Sequence, residues 1–244
     1  MGRIILLLIV FSVLSTVVPA IYRLLRSNAG RDQVRALVEY AQKRGYRLMN
    51  PEIAQALDSS FLEMMRNPAL KNLTRPSEDV TDIDGLQNGT GDRLALVCTL
   101  RSKEVTVFNF SVPPRTPSSG WIRYKVAKIK TVGLPRFSLG RNSAVHLVEV
   151  VVGKMVGAPK AAIDLDSSQY PEFSQHYWLT GTDGAAVTAF LSPGKIRFIE
   201  EAKLEGILAT NANYLVYFED GVLQKEEDCD SFIARVEQIA ANLL

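Results

Sequence analysis

Histidine, tryptophan and cysteine are scarce in this chain, with two of each in 244 residues. The cysteines, Cys98 and Cys229, lie far apart without metal-ligand spacing, which excludes a disulfide framework and a zinc cluster. Cys98, in Leu-Ala-Leu-Val-Cys-Thr-Leu, reads as a small buried apolar residue. Cys229 lies among acids, which raise a thiol pKa and lower its reactivity. The net charge of +2 gives no bulk attraction to nucleic acid, and no nucleic-acid partner is expected. Walker A, Rossmann-glycine, nucleophile-elbow and zinc-ligand patterns are all missing, so no cofactor, metal or catalytic residue is assigned.

One stretch lacks charge altogether. Ile4 to Tyr22 is about 19 residues, roughly 28 Å as a helix, enough to cross a hydrocarbon core. Arg23, Arg26, Arg31 and Arg35 follow it, with Asp32 the sole acid among them. The length predicts an uncleaved anchor through residues 4–22, and the positive flank predicts a C-terminal domain in the cytoplasm. These arginines would also favour an anionic lipid surface. A signal peptide cut after Val18-Pro19-Ala20, or an extracytoplasmic domain, is the alternative. Asn72, Asn88 and Asn109 each open a glycosylation sequon.

Beyond residue 26 the chain divides into a helical linker or helical pair (27–79) and an α+β domain (80–244). Asp32 to Arg44 carries Val34, Leu37, Val38 and Ala41 at helical spacing, with Gly45 as the stop. A second helical pattern runs from Pro51 to Met65. Arg93–Leu100 and Glu104–Val112 read as a hairpin. Trp121–Val132 reads as a long strand in which Arg123 and Lys125 are out of phase with Lys128 and Lys130. A bulge near Ala127 would bring all four cations to one face, where they would attract an anionic surface or simply be solvated. Asn142 or Ser143 starts a helical pattern that includes His146. Ala161–Leu165 is a predicted strand. Ser174–Thr180 alternates as a strand, with His176 and Trp178 on one face as weak ligand candidates. Gly184–Leu191 and the segment after Ser192-Pro193 read as short helices. Gly206–Thr210 and Tyr214–Phe218 form a hairpin. Asp230–Leu243 is an amphipathic helix with Phe232, Ile233, Val236, Ile239, Ala240 and Leu243 in its stripe. Asp164-Leu-Asp166-Ser-Ser is read as a turn rather than a calcium loop.

Strands and helices segregate. The expected fold is therefore α+β: an N-terminal transmembrane helix, then a mostly antiparallel sheet with packing helices. Several motifs support a resemblance: Ala36-Leu-Val-Glu-Tyr-Ala-Gln-Lys-Arg-Gly-Tyr46, Val105-Thr-Val-Phe-Asn-Phe110, Leu134-Pro-Arg-Phe-Ser-Leu139, Asp164-Leu-Asp-Ser-Ser168, Glu172-Phe-Ser-Gln-His-Tyr177 and Tyr214-Leu-Val-Tyr-Phe218. Over residues 36–244 the chain resembles an uncharacterised bacterial family of single-span membrane-anchored proteins with a domain of unknown function. That resemblance implies an architecture and an anchor, and supplies no site residues. The expected function is a binding or scaffolding domain at the inner face of a membrane, with the bilayer and another membrane protein as partners. A membrane-tethered hydrolytic enzyme or a secreted protein is the alternative, and the oligomeric state is left open.

Overall fold

The structure, a computed structural model, describes residues 35–49, 90–91, 95–112, 122–142, 161–211 and 213–244. Among these residues ten strands form one antiparallel sheet. They are β1 (Arg47–Met49), β2 (Thr90–Gly91), β3 (Ala95–Leu100), β4 (Lys103–Val112), β5 (Ile122–Lys130), β6 (Phe137–Arg141), β7 (Ala161–Ala162), β8 (Tyr177–Gly181), β9 (Ile207–Asn211) and β10 (Tyr214–Asp220). Their order is β1-β3-β4-β5-β10-β9-β6-β8-β7, with β2 pairing β4 off that path. The helices are α1 (35–44), α2 (Pro171–His176), α3 (Gly184–Phe190), α4 (Pro193–Glu201) and α5 (Glu226–Leu243).

Alternation divides the strands between two cores. Val105 and Val107, Ala127 and Ile129, and Leu215 and Tyr217 join the apolar residues of all five helices. Phe108, Phe110, Tyr124, Val126, Val216 and Phe218 form a second buried cluster on the opposite face. Burial on both faces explains why these strands read as nearly continuous apolar runs.

Helix α5 buries the whole expected stripe, plus Cys229. Each large apolar side chain so buried contributes about 1.5–3 kcal/mol. The helix begins at Glu226, ahead of the expected Asp230, because the Lys225 N–H donates to Asp228 Oδ2 (3.2 Å) and three acids occupy the first turn. The β3–β4 hairpin closes through Arg101 and Ser102 alone, both at positive φ (50° and 63°), as a primed two-residue turn demands. Residues 35–49, assigned by the sequence to a helical linker, pack into this same domain. Leu37, Tyr40 and Ala41 enter the main core, Gly45 (φ 67°) ends α1, and β1 pairs with β3.

Three expectations are corrected. First, no helix among the described residues is long and apolar enough to cross a membrane. The 18-residue α5 is amphipathic and starts on acids. The fold with a transmembrane helix, and the single-pass localisation drawn from it, are therefore withdrawn. Residues 4–22, Arg23, Arg26 and Arg31 lie outside the described residues, and Arg35 is exposed on α1.

Second, β5 has no bulge: its register runs unbroken against both β4 and β10. Lys125 turns to the helix face, where Glu219 lies 2.5 Å away, and Lys128 sits 3.8 Å over the Tyr214 ring. Third, Pro171–His176 is helical, and β8 starts only at Tyr177. Pro171 occupies the first turn with Glu172, and the Ser174 N–H donates to Tyr170 O (3.0 Å). The expected alternation misled because Phe173 and Tyr177 are four residues apart. That spacing serves one helical turn as well as two strand repeats, and here the two rings stack at 5.3 Å.

Candidate functional site

A cleft of about 450 Å³ opens between α2, α4 and the end of β6. The β6–β8 register places Arg141 opposite Tyr177 and so brings the strand end beside α2. Two hydrogen bonds tie α4 to α2 and to the start of β8. The Phe173 N–H donates to Glu200 Oε1 (2.8 Å), and the Tyr177 hydroxyl donates to Ile199 O (3.1 Å). Asn142 Nδ2 donates to Gln175 O (2.8 Å) and fixes the other end of α2. Burial pushes the Tyr177 hydroxyl pKa up, so Tyr177 stays a neutral donor.

Charges of both signs line this cleft: Arg141, Lys203, Glu172, Glu200 and Glu201, with His176 beside them. His176 Nε2 lies 3.4 Å from Glu172 Oε2, one turn back on α2. That is its one side-chain partner among the described residues, so no nucleophile is aligned on it for triad chemistry. Arg141 Nη1 is 3.8 Å from the exposed Glu205. Lys203 and Glu201 have no ion-pair partner among the described residues. The cleft can therefore hold charged groups by ion pairs and hydrogen bonds.

Trp178, the other ligand candidate, lies elsewhere. It is half-buried on the opposite sheet face, where its Nε1 donates to Arg141 O (3.1 Å). Its indole covers Gly140 so closely that a Cβ there would lie 2.7 Å from Cζ2. Sequence reading thus found one cleft residue, His176, and missed Arg141, Glu172, Tyr177, Glu200, Glu201 and Lys203. A second, more open concavity between β7 and α3 is lined by alanines, Gly181 and Gly184 with Asp164 as its charged residue.

Other candidates resolve as structure. Cys98 and Cys229 are both buried and free. Burial lifts their thiol pKa values to about 11 and about 12, with Asp228 and Asp230 adding to the second. Asp166 Oδ1 accepts from the Ser168 N–H (3.0 Å) and hydroxyl (2.6 Å), which closes a turn and holds that carboxyl below its ordinary range. Asn109 is 1% exposed, accepts from the Leu223 N–H (2.7 Å) and donates to Leu223 O (3.5 Å). Its sequon is therefore closed to modification in the folded protein. Asn72, Asn88 and His146 lie outside the described residues. Among the described residues no three His, Cys, Asp or Glu side chains are grouped to hold a metal ion.

No family model and no curated protein matches the chain. Among solved structures it is similar to the crystal structure of the mycobacterial trehalose monomycolate transport factor A, TtfA. The match has 12% identity and a TM-score of 0.47, and spans 86% of this chain and 94% of that one.

Proposed function

We propose that the protein is a binding protein and that the cleft between α2, α4 and β6 is its ligand site. The observation that carries this reading is the state of the lining charges. Helix α4 is fastened to α2 through the Phe173 N–H and to β8 through the Tyr177 hydroxyl, yet Glu201 at its end and Lys203 just beyond it have no ion-pair partner among the described residues. Charged groups without partners in the fold can pair with a ligand without breaking a bond of the fold, and that gain must exceed the rotamer freedom each side chain loses. A volume of about 450 Å³ falls in the range of small-ligand sites.

The test is a fragment titration of the ¹⁵N-labelled full-length chain, followed by amide shifts. Fragments carrying ammonium, carboxylate and phosphate groups should move the amides of Arg141, His176, Tyr177 and Lys203 together. Arg141→Ala should abolish those shifts and leave the rest of the spectrum in place. Shifts confined to other surfaces would overturn the assignment.

A further inference from the structure

We infer that Lys203 is a ligand-contacting residue, and that the ligand of the cleft carries acidic and basic groups together, as a mixed-charge peptide segment does. This rests on the cleft being the ligand site.

The first support is the way α4 ends. The Lys203 N–H donates to Glu200 O (3.2 Å) and the Leu204 N–H to Ile199 O (3.4 Å). These are the two closing bonds of the helix ending that favours glycine at the position Lys203 occupies. The buried Leu204 and Ile199 add the apolar contact that accompanies this ending. Lys203 has φ 47°, the left-handed region that disfavours a Cβ. Among the described residues two other non-glycines share that region, Arg101 and Ser102, both in the β3–β4 turn. There Arg101 Nε reaches Glu237 on α5 at 3.3 Å, so its side chain fastens the hairpin to the helix. Lys203 makes no such bond among the described residues and instead lines the cleft. A lysine in a glycine's position, with no structural partner, is accounted for by what it contacts in the ligand.

The second support is the pairing pattern. Glu172 Oε2 lies 3.4 Å from His176 Nε2, and Glu200 accepts from the Phe173 N–H. Glu201 and Lys203 share the cleft two positions apart without pairing, and Arg141 holds Glu205 only at 3.8 Å. Both signs are thus available. A purely anionic ligand would meet three carboxylates, and a purely cationic one would meet Arg141 and Lys203. A ligand with both signs meets complementary charge.

The test uses the full-length protein and three fluorescein-labelled peptides read by anisotropy: alternating Lys and Glu, Glu with Ser, and Lys with Ser. The alternating peptide should bind at least about tenfold tighter than either other. Lys203→Gly should weaken that binding about tenfold while its thermal midpoint stays equal to or above that of the wild type. Equal binding of a single-sign peptide, or undiminished binding by Lys203→Gly, would overturn the inference. If no peptide binds but charged fragments still shift the cleft amides, the ligand class falls and the site stands. If the cleft amides respond to neither, both fall.

Discussion

Between α1 and α5, Arg44 lies 2.7 Å from Asp230 and Lys43 lies 2.6 Å from Glu226, whereas in the cleft Arg141 lies 3.8 Å from Glu205. The seam also has the Tyr40 hydroxyl donating to Asp230 Oδ1 (2.7 Å). Basic and acidic side chains meet in both places, but their arrangement differs. Seam charges come from two helices more than 180 residues apart in sequence, and each finds its partner on the other helix. Cleft charges come from β6, α2 and the end of α4: Glu200 accepts from the Phe173 N–H and Arg141 reaches Glu205 only at 3.8 Å, whereas Glu201 and Lys203 have no ion-pair partner among the described residues. The difference separates charges that fasten elements from charges left facing solvent, and only the second kind can serve a ligand without loosening the fold.

The largest expected effect lies on the fastened side. Glu219 is reached by Lys125 Nζ (2.5 Å), Arg235 Nη1 (3.0 Å) and the Tyr217 hydroxyl (3.2 Å), joining β5, β10 and α5. Lys125 is only 13% exposed at its side chain. Glu219→Ala leaves that part-buried cation without its closest counter-charge, a loss on the order of 3 kcal/mol, at the low end for a buried pair. Urea unfolding should show the midpoint falling with the slope unchanged. A loss under about 1 kcal/mol would mean that water reaches Lys125 freely, and the contrast with the cleft would collapse.

Asn109 comes next. Asn109→Ala strands the Leu223 N–H and carbonyl just ahead of α5, at about 1–3 kcal/mol by the same measurement. A loss under about 0.5 kcal/mol would mean that water replaces both bonds at this site.

These two sites also show what the sequence made legible. The stripe of α5 and the two hairpins were readable because their signals are local: a period of 3.6 or 2 and a short turn. Asn109 was readable only as a sequon, since its partner Leu223 is 114 residues away. The phase slip in β5 resembled a bulge because a strand buried on both faces needs none. Lys125 and Lys128 each find a partner on a different side. The cleft was illegible for the same reason as Asn109, its parts coming together only when β6, α2 and α4 pack. No glycine follows Glu201 until Gly206, so the left-handed ending that the structure places on Lys203 had no mark in the sequence.

Acid should separate the two regions by a smaller amount. The Tyr40 hydroxyl bond, then Arg44, holds the Asp230 carboxyl below its ordinary range. A depressed folded pKa means that the carboxylate form is favoured in the folded state. The stabilisation is complete above the unfolded aspartate pKa, about 3.9, and is lost as pH falls through the folded value. Asp220 opposes this slope, because burial and the nearby Glu219 raise its pKa. Asp230→Asn isolates the seam. It should lower the thermal midpoint by a few degrees at neutral pH and flatten the decline below about pH 4. An unchanged acid limb would show the seam bonds to be exchanged for water at no loss.

The smallest effect belongs to the cleft, and its smallness is what sharpens the comparison. Glu201 is exposed and without an ion-pair partner among the described residues, so Glu201→Gln removes no folded-state bond. Unfolding free energy should stay within about 0.5 kcal/mol of the wild type. The same substitution takes away one of the unpaired charges facing a mixed-charge ligand, so affinity for the alternating Lys–Glu peptide should drop severalfold and its salt dependence should weaken. Asp230→Asn should do the reverse, moving stability and leaving peptide affinity unchanged. Stability and affinity shifting together in both variants would mean that seam and cleft are one coupled network, and that the division between fastening and available charge does not hold in this fold.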